Sequence, residues 1–128
     1  MAIYLLDTSV IIDVLNQKRG RWQLLAAFVE AGDMLACSVV TVAEIYAGVR
    51  PKEIGRTEQF LDRLEHYPLD SGLARDAGLL KNEWARKGRT LGVADVIIAA
   101  TALAHGLVLV TDNRKDFPMT QLALYPLP

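Results

Sequence analysis

An α/β fold, a three-layer α/β/α sandwich around a mainly parallel sheet, follows from three features of the sequence. Short apolar runs rich in strand formers alternate with longer helical segments, the order expected of strands joined by helical crossovers. Those runs are apolar throughout rather than alternating with polar residues, as in strands covered on both faces. The chain has 128 residues, 52% hydrophobic and 23% charged. That fits one globular domain, 1–128, with no repeat, linker or low-complexity tract, and supplies enough apolar side chain to exclude disorder.

Ile3-Tyr4-Leu5-Leu6 opens the chain as a buried strand, and Asp7, Thr8 and Ser9 can each cap the helix that follows. Val10, Ile11, Val14 and Leu15 recur at helical spacing. A second helix is predicted over Arg21–Glu30, with Trp22, Leu25, Ala26 and Val29 on one face and Gly32 as its stop. Met34–Ser38 reads as the second buried strand. Thr41 begins a third helix, with Glu44 at capping-box spacing and Pro51 as its end. Phe60, Leu61 and Leu64 mark another amphipathic helix, ended by His66, and Tyr67–Leu69 a third strand. Ser71 caps the helix bearing Leu73, Ala77, Leu80 and Trp84, which Gly88 closes. Val93–His105 is the most apolar helix and Gly106 ends it. Leu107–Val110 is the clearest strand, Thr111–Asp116 a polar loop, and Leu122–Tyr125 a short final strand.

Charge and composition narrow the function. Fourteen Lys+Arg against fifteen Asp+Glu leave a net charge of −1, so there is no globally basic surface for nucleic acid. Binding to phosphate must then rest on a local basic patch or on metal. A lone Cys37 cannot form an internal disulfide and suits a reducing cytoplasm. The apolar stretches Ile3–Leu15 and Val93–Ala104 are broken by Asp7, Asp13 and Asp95, short of the roughly 20 residues a membrane span needs. The N-terminus has neither a basic region nor an Ala-x-Ala-like cleavage site, so a compact intracellular domain is expected.

In open α/β sheets the functional crevice lies beyond the carboxyl ends of the strands. Asp7 follows the first strand, Glu44 lies early in the helix after the second, and Asp112 and Asp116 lie in the loop after the strand ending at Val110. Asp95 opens the apolar helix. Each also has a structural reading: Asp7 and Asp95 as N-caps, Glu44 as half of a capping box with Thr41, Asp112 and Asp116 as turn residues. Asp95 resists that reading best. Its neighbours are Gly92-Val93-Ala94 and Val96-Ile97-Ile98, with no basic partner, and a buried carboxylate is costly unless paired or bound to a cation. Acids converging at one sheet edge repel one another, and Mg²⁺ or Mn²⁺, which take oxygen ligands, remove that cost. Neither His66 nor His105 reads as a ligand.

Four blocks carry a family resemblance. Leu5-Leu6-Asp7-Thr8-Ser9-Val10-Ile11-Ile12-Asp13 resembles the opening of the PIN domain, especially the VapC toxins of bacterial and archaeal toxin–antitoxin pairs. The likeness continues through Ser38–Val49, Gly92–Ala102 and Leu109–Phe117, in the family's order and over nearly the whole chain. The resemblance implies a parallel sheet between helices and metal-dependent RNA cleavage by an acidic cluster. By position, Asp7, Glu44 and Asp95 match three of the family's acids. The residue before Phe117 matches the fourth, which favours Asp116 and leaves Asp112 in competition with it. Asp7 and Asp95 would hold Mg²⁺ or Mn²⁺, and Glu44 and Asp116 would orient a water or complete a second metal site. Thr8, Ser9 and Thr111 are hydrogen-bond donors to carboxylate or phosphate, or simple caps, and Asn113 is a supporting turn residue. The resemblance further implies a homodimer and a cognate antitoxin whose tail covers the acidic groove, with an Arg in place of metal. It also implies an RNA substrate, a tRNA or ribosomal RNA loop.

Basic residues must bring RNA to such a site. Lys81–Arg89 carries four cations and one anion just before the Asp95 block, so Arg86, Lys87 and Arg89 are candidate phosphate contacts or else a solvated helix end. Arg114 and Lys115 flank the last acids, and Trp84 falls on the core face of its helix. Three rivals remain. A receiver-type signalling domain needs a pair of acids after the first strand and a phosphoacceptor after the third, for which Asp70 is the sole candidate. An Asp-x-Asp phosphatase fails because residue 9 is Ser. A catalytically silent interaction module on the same fold would have no need of the acids.

Overall fold

The computed structural model describes residues 1–128. Its strands are β1 (Ile3–Leu6), β2 (Met34–Ser38), β3 (Glu65–Tyr67), β4 (Val108–Val110) and β5 (Ala123–Leu124). They form one sheet in the order β3-β2-β1-β4-β5, and every neighbouring pair is parallel. The helices are α1 (Thr8–Leu15), α2 (Arg21–Glu30), α3 (Val39–Gly48), α4 (Ile54–Leu61), α5 (Ser71–Arg86) and α6 (Val93–His105), with short 3-10 turns at Pro51–Glu53 and Arg114–Asp116. No helix is long and apolar enough to cross a membrane.

The period-two alternation of side chains splits the core into two layers. Leu5, Ala36 and Leu109 point to one face, where Leu73 and Ala77 of α5 and the apolar run of α6 cover them. Leu6, Cys37 and Val110 point to the other face, under Val10, Ile11 and Val14 of α1, Leu25 and Phe28 of α2, Ile45 of α3 and Phe60 of α4. Both faces of β1 are therefore dry, which is why its sequence is continuously apolar. Helix α6 buries every residue from Val96 to Ala102. Full burial of each large aliphatic side chain contributes about 1.5–3 kcal/mol. Gly106, at φ 64°, turns the chain out of α6 in the left-handed region that L residues avoid.

Several boundaries differ from the sequence reading, each for a tertiary reason. Helix α3 starts at Val39, because Ser38 both ends β2 and caps the helix, its Oγ accepting from the Val40 N–H at 3.1 Å. Thr41 lies inside α3 and is fully buried, so it forms no capping box with Glu44. The third strand is Glu65–Tyr67 rather than Tyr67–Leu69, paired Ala36↔Glu65 through Ser38↔Tyr67. Pro68 has no N–H to extend that ladder, and His66 belongs to the strand rather than to a helix end. Asp70, not Ser71, caps α5, its Oδ1 accepting from the Leu73 N–H at 2.8 Å. The buried stripe of α2 is Arg21, Leu25 and Phe28, while Trp22 and Val29 stand 48% and 56% exposed. Phe28 stacks on Tyr4 of β1 at 3.9 Å between centroids, and that contact rotates the helix away from the Trp22 face.

Phe117, 2% exposed, anchors the end of the loop after β4 in the α5–α6 core layer. Phe117→Ala should cost about 3–5 kcal/mol in urea-induced unfolding, the price of an unfilled aromatic cavity. A loss under about 1 kcal/mol would show that the loop is anchored elsewhere.

Candidate active site

Strand order turns back at β1: the chain runs from β1 out to β3 on one side, then crosses to β4 and β5 on the other. A crevice opens at the carboxyl end of the sheet at such a switch point. Asp7 leaves β1 there, and its N–H donates to the Val110 carbonyl at the end of β4 at 2.9 Å. The loops after β1 and β4 are thus tied together at the crevice floor.

Asp7 is 4% exposed, and its carboxylate is held on both oxygens. Oδ1 accepts from the Thr8 N–H at 2.9 Å, and Oδ2 accepts from Thr111 Oγ1 at 2.7 Å, with Ser9 Oγ more distant at 3.5 Å. Burial pushes its pKa up, the bonds from Thr111 and Thr8 pull it back, and the Glu44 charge adds to the rise. Glu44 projects from α3 with Oε1 accepting from Thr8 Oγ1 at 2.7 Å. Thr8 Oγ1 also lies 3.1 Å from the buried Thr41 Oγ1. A hydroxyl has one proton, so Thr41 donates to Thr8 and Thr8 to Glu44. The sequence reading assigned Thr41 to a cap and missed this relay, since only the packing of α1 against α3 creates it.

Asp95 is the third residue of α6, and Gly92 at the N-cap supplies no capping side chain. Its carboxyl is pushed up to about 6, first by burial and then by the charges of Asp7, Asp116 and Glu44. Four carboxylates are therefore close enough to repel one another, and none of the four has an ion-pair partner. Burial and these three charges act together on Asp95. Room beside it is tight: a Cβ on Gly92 would stand 3.2 Å from Asp95 Oδ2.

The two candidates in the last loop part company. Asp116, half-buried in its 3-10 turn, is near enough for its charge to raise Asp95, whereas Asp112 pairs with Arg21 at 2.6 Å and Arg19 at 3.2 Å. Asn113 has an exposed side chain, and its N–H donates to Thr111 Oγ1 at 3.0 Å. Arg89 donates to the Lys115 carbonyl, which draws the basic segment before α6 to the turn bearing Asp116. Lys87 pairs with Glu83 at 3.5 Å and covers Trp84, while Arg86 and Arg114 are exposed. Helix α6 carries His105 at the end opposite Asp95, and His66 sits on the edge strand β3. Asp70, the acid a receiver domain would need, is spent on capping α5.

The raised Asp95 carboxyl has a consequence for stability. In the folded chain it keeps its proton up to about pH 6, but in the unfolded chain only to about pH 4. Between those values the folded state binds more protons, so this group's contribution to stability falls as pH rises through the window and stays lost above it. Asp95→Asn should therefore raise Tm in chelator at about pH 7.5, and the gain should vanish below about pH 4. Differential scanning calorimetry across that range checks it; an equal or lower Tm in the variant at the higher pH would contradict the repulsion.

With this geometry established, comparison with known proteins is informative. The family model for the PIN domain matches residues 4–120. A relative named Ribonuclease VapC2, from Haemophilus influenzae, is 34% identical over 122 residues, covering 91% of each chain. A second, named tRNA(fMet)-specific endonuclease VapC, from Shigella flexneri, is 30% identical over 125 residues, again covering 91% of each. Among solved structures, VapBC2 from Rickettsia felis bound to a promoter DNA fragment superposes with a TM-score of 0.82 at 28% identity, covering 96% of this chain and 97% of its own. A match over nearly the whole chain, together with a parallel sheet that gathers Asp7, Glu44, Asp95 and Asp116 at its switch point, shows that this chain belongs to the PIN-domain family.

Proposed function

We propose that this chain is a divalent-metal-dependent endoribonuclease and the toxin of a toxin–antitoxin pair, cutting a structured RNA such as a tRNA or ribosomal RNA loop. The observation that carries the reading is the cluster of four unpaired carboxylates, with Asp95 raised to about 6 first by burial and then by the charges of the other three. A buried charge of this kind is stabilised by a partner or a cation, and no cationic side chain enters the cluster. The names of the VapC ribonuclease relatives support RNA as substrate, and the Shigella flexneri protein's name supports a tRNA.

The donor set fits Mg²⁺ or Mn²⁺, since it is all oxygen and contains no His or Cys. No group of three or more His, Cys, Asp or Glu side chains is arranged to hold a metal ion by itself. Asp7 and Asp95 would hold the ion, with Glu44 and Asp116 beside them. A cation held there would lower the pKa of a water to near neutral pH and offset charge on the attacked phosphate. The protein's own groups do the rest. Thr8 and Thr111 fix the plane of the Asp7 carboxylate, leaving its remaining lone pairs toward the crevice. Glu44 has one oxygen fixed by Thr8 and orients the attacking water, taking its proton. Asp116 orients water from the opposite wall. Arg114 and Lys115 lie in the turn bearing Asp116, Arg89 is tied to it through the Lys115 carbonyl, and with Arg86 and Lys87 they would meet the flanking phosphates.

A protein partner would sit on the acidic crevice itself: the tail of an antitoxin would cover it, with an Arg pairing with the carboxylates in place of metal. The R. felis neighbour is a VapBC assembly, which supports a cognate antitoxin for this chain; the resemblance to VapC toxins extends the proposal to a homodimer acting in the cytoplasm.

Asp7→Asn and Asp95→Asn should each abolish RNA cleavage while far-UV circular dichroism stays unchanged, and Mn²⁺ should raise the Tm of the wild type but not of the double variant. Full activity in chelator, or in either variant, overturns the mechanism. Expressed alone, the chain should arrest growth, and co-expression of the small gene beside it should restore growth. Normal growth with abundant wild-type protein counts against the toxin.

A further inference from the structure

The most buried ion pair in the chain joins Arg21, at the start of α2, to Asp112, 91 residues away: Arg21 Nη2 lies 2.6 Å from Asp112 Oδ1, with side chains 3% and 15% exposed. It is a single contact rather than a two-pronged one. Arg21 Nε and Asp112 Oδ2 are both buried and have no partner, so the pair is a poor stabiliser for the desolvation it costs. Its position is more telling than its strength. Asp112 lies between Thr111 and Asn113, and the Thr111 hydroxyl links the two: it accepts from the Asn113 N–H at 3.0 Å and donates to Asp7 Oδ2 at 2.7 Å. The Asn113 carbonyl in turn accepts from the Asp116 N–H at 2.9 Å, which forms the 3-10 turn that presents Asp116.

A second guanidinium reinforces the grip. Between α1 and α2 the backbone passes through the left-handed region at Gln17 (φ 54°), Arg19 (φ 59°) and Gly20 (φ 67°). Two of these are not glycine, and L side chains disfavour that region. The turn brings Arg19 within 3.2 Å of Asp112 and 3.9 Å of Asp13.

We propose that Arg21 is a positioning residue for the acidic site: through Asp112 it holds the Thr111 hydroxyl on Asp7 and the Asp116 turn against the crevice, with Arg19 as an exposed second arm. The proposal rests on the ribonuclease reading for its kinetic part and on geometry alone for its structural part. Asp112 is thereby a strut for the site rather than a metal ligand.

The test uses the full chain and a variant that removes both charges, Arg21→Met with Asp112→Asn, so that no lone charge is left buried. Amide hydrogen exchange is followed in metal-free protein, and kcat and KM are measured on bulk tRNA in Mn²⁺. Exchange at Asn113, Asp116 and Phe117 should accelerate about tenfold or more while the amides of β1 stay protected. A misplaced acid costs turnover rather than binding, so kcat should fall about tenfold with KM within about twofold. Arg21→Lys, which keeps the charge, should restore most of both. Unchanged exchange at Asn113 and Asp116 overturns the proposal, as does faster exchange with unaltered kcat, or uniform loss of protection across the sheet. Should the wild type leave tRNA intact, it is the substrate assignment that fails, and the exchange arm alone then judges the strut.

Discussion

Asp7 is a carboxylate almost wholly removed from water at the carboxyl end of the central strand of a parallel sheet, and much of the chain is arranged around keeping it charged and aimed. Its neighbours supply a backbone N–H from Thr8 and a hydroxyl from Thr111, but no cation. Those bonds offset part of the desolvation and none of the repulsion from Glu44 and Asp95. The apolar layers on either side of β1 must therefore carry a site that works against folding. They can, because Leu5 and Leu6 are fully buried and α6 contributes seven consecutive buried residues directly behind Asp95.

The parallel topology makes the convergence possible. Every strand points the same way, so every loop leaving a strand's carboxyl end emerges on one edge, and the reversal at β1 opens the crevice between the loops after β1 and β4. Residues over a hundred positions apart then touch, as Asp7 and Thr111 do. Hydroxyls rather than charges do the fine positioning: Thr41, Thr8 and Glu44 form one chain, and Asn113, Thr111 and Asp7 another. Neutral donors can orient carboxylates without neutralising them, which leaves their negative charge available to a cation.

Much of this was legible because it is written locally. The continuous apolar run Ile3–Leu6, the helix from Val93 to Gly106 and the strand ending at Val110 carry their periodicity in a few residues each, and parallel order then puts Asp7, Glu44, Asp95 and Asp116 at one edge. What escaped depends on contacts between distant segments. The face that α2 buries is set by Phe28 stacking on Tyr4, not by the Trp22–Val29 pattern. Strand β3 has one neighbour and two exposed residues, so hydrophobicity marks it poorly and Pro68 displaces its end. Asp112 and Asp116 are both loop acids four residues apart, and only the arrival of Arg19 and Arg21 at the first separates their environments.

The central claim is that this acidic crevice holds a divalent cation between Asp7 and Asp95. Anomalous diffraction at the manganese edge, from crystals equilibrated with Mn²⁺ at a concentration that supports RNA cleavage, tests it most directly. The account predicts a peak between the Asp7 and Asp95 carboxylates, within reach of Glu44 or Asp116 through water. A peak on Asp112, or none in the crevice, would contradict it.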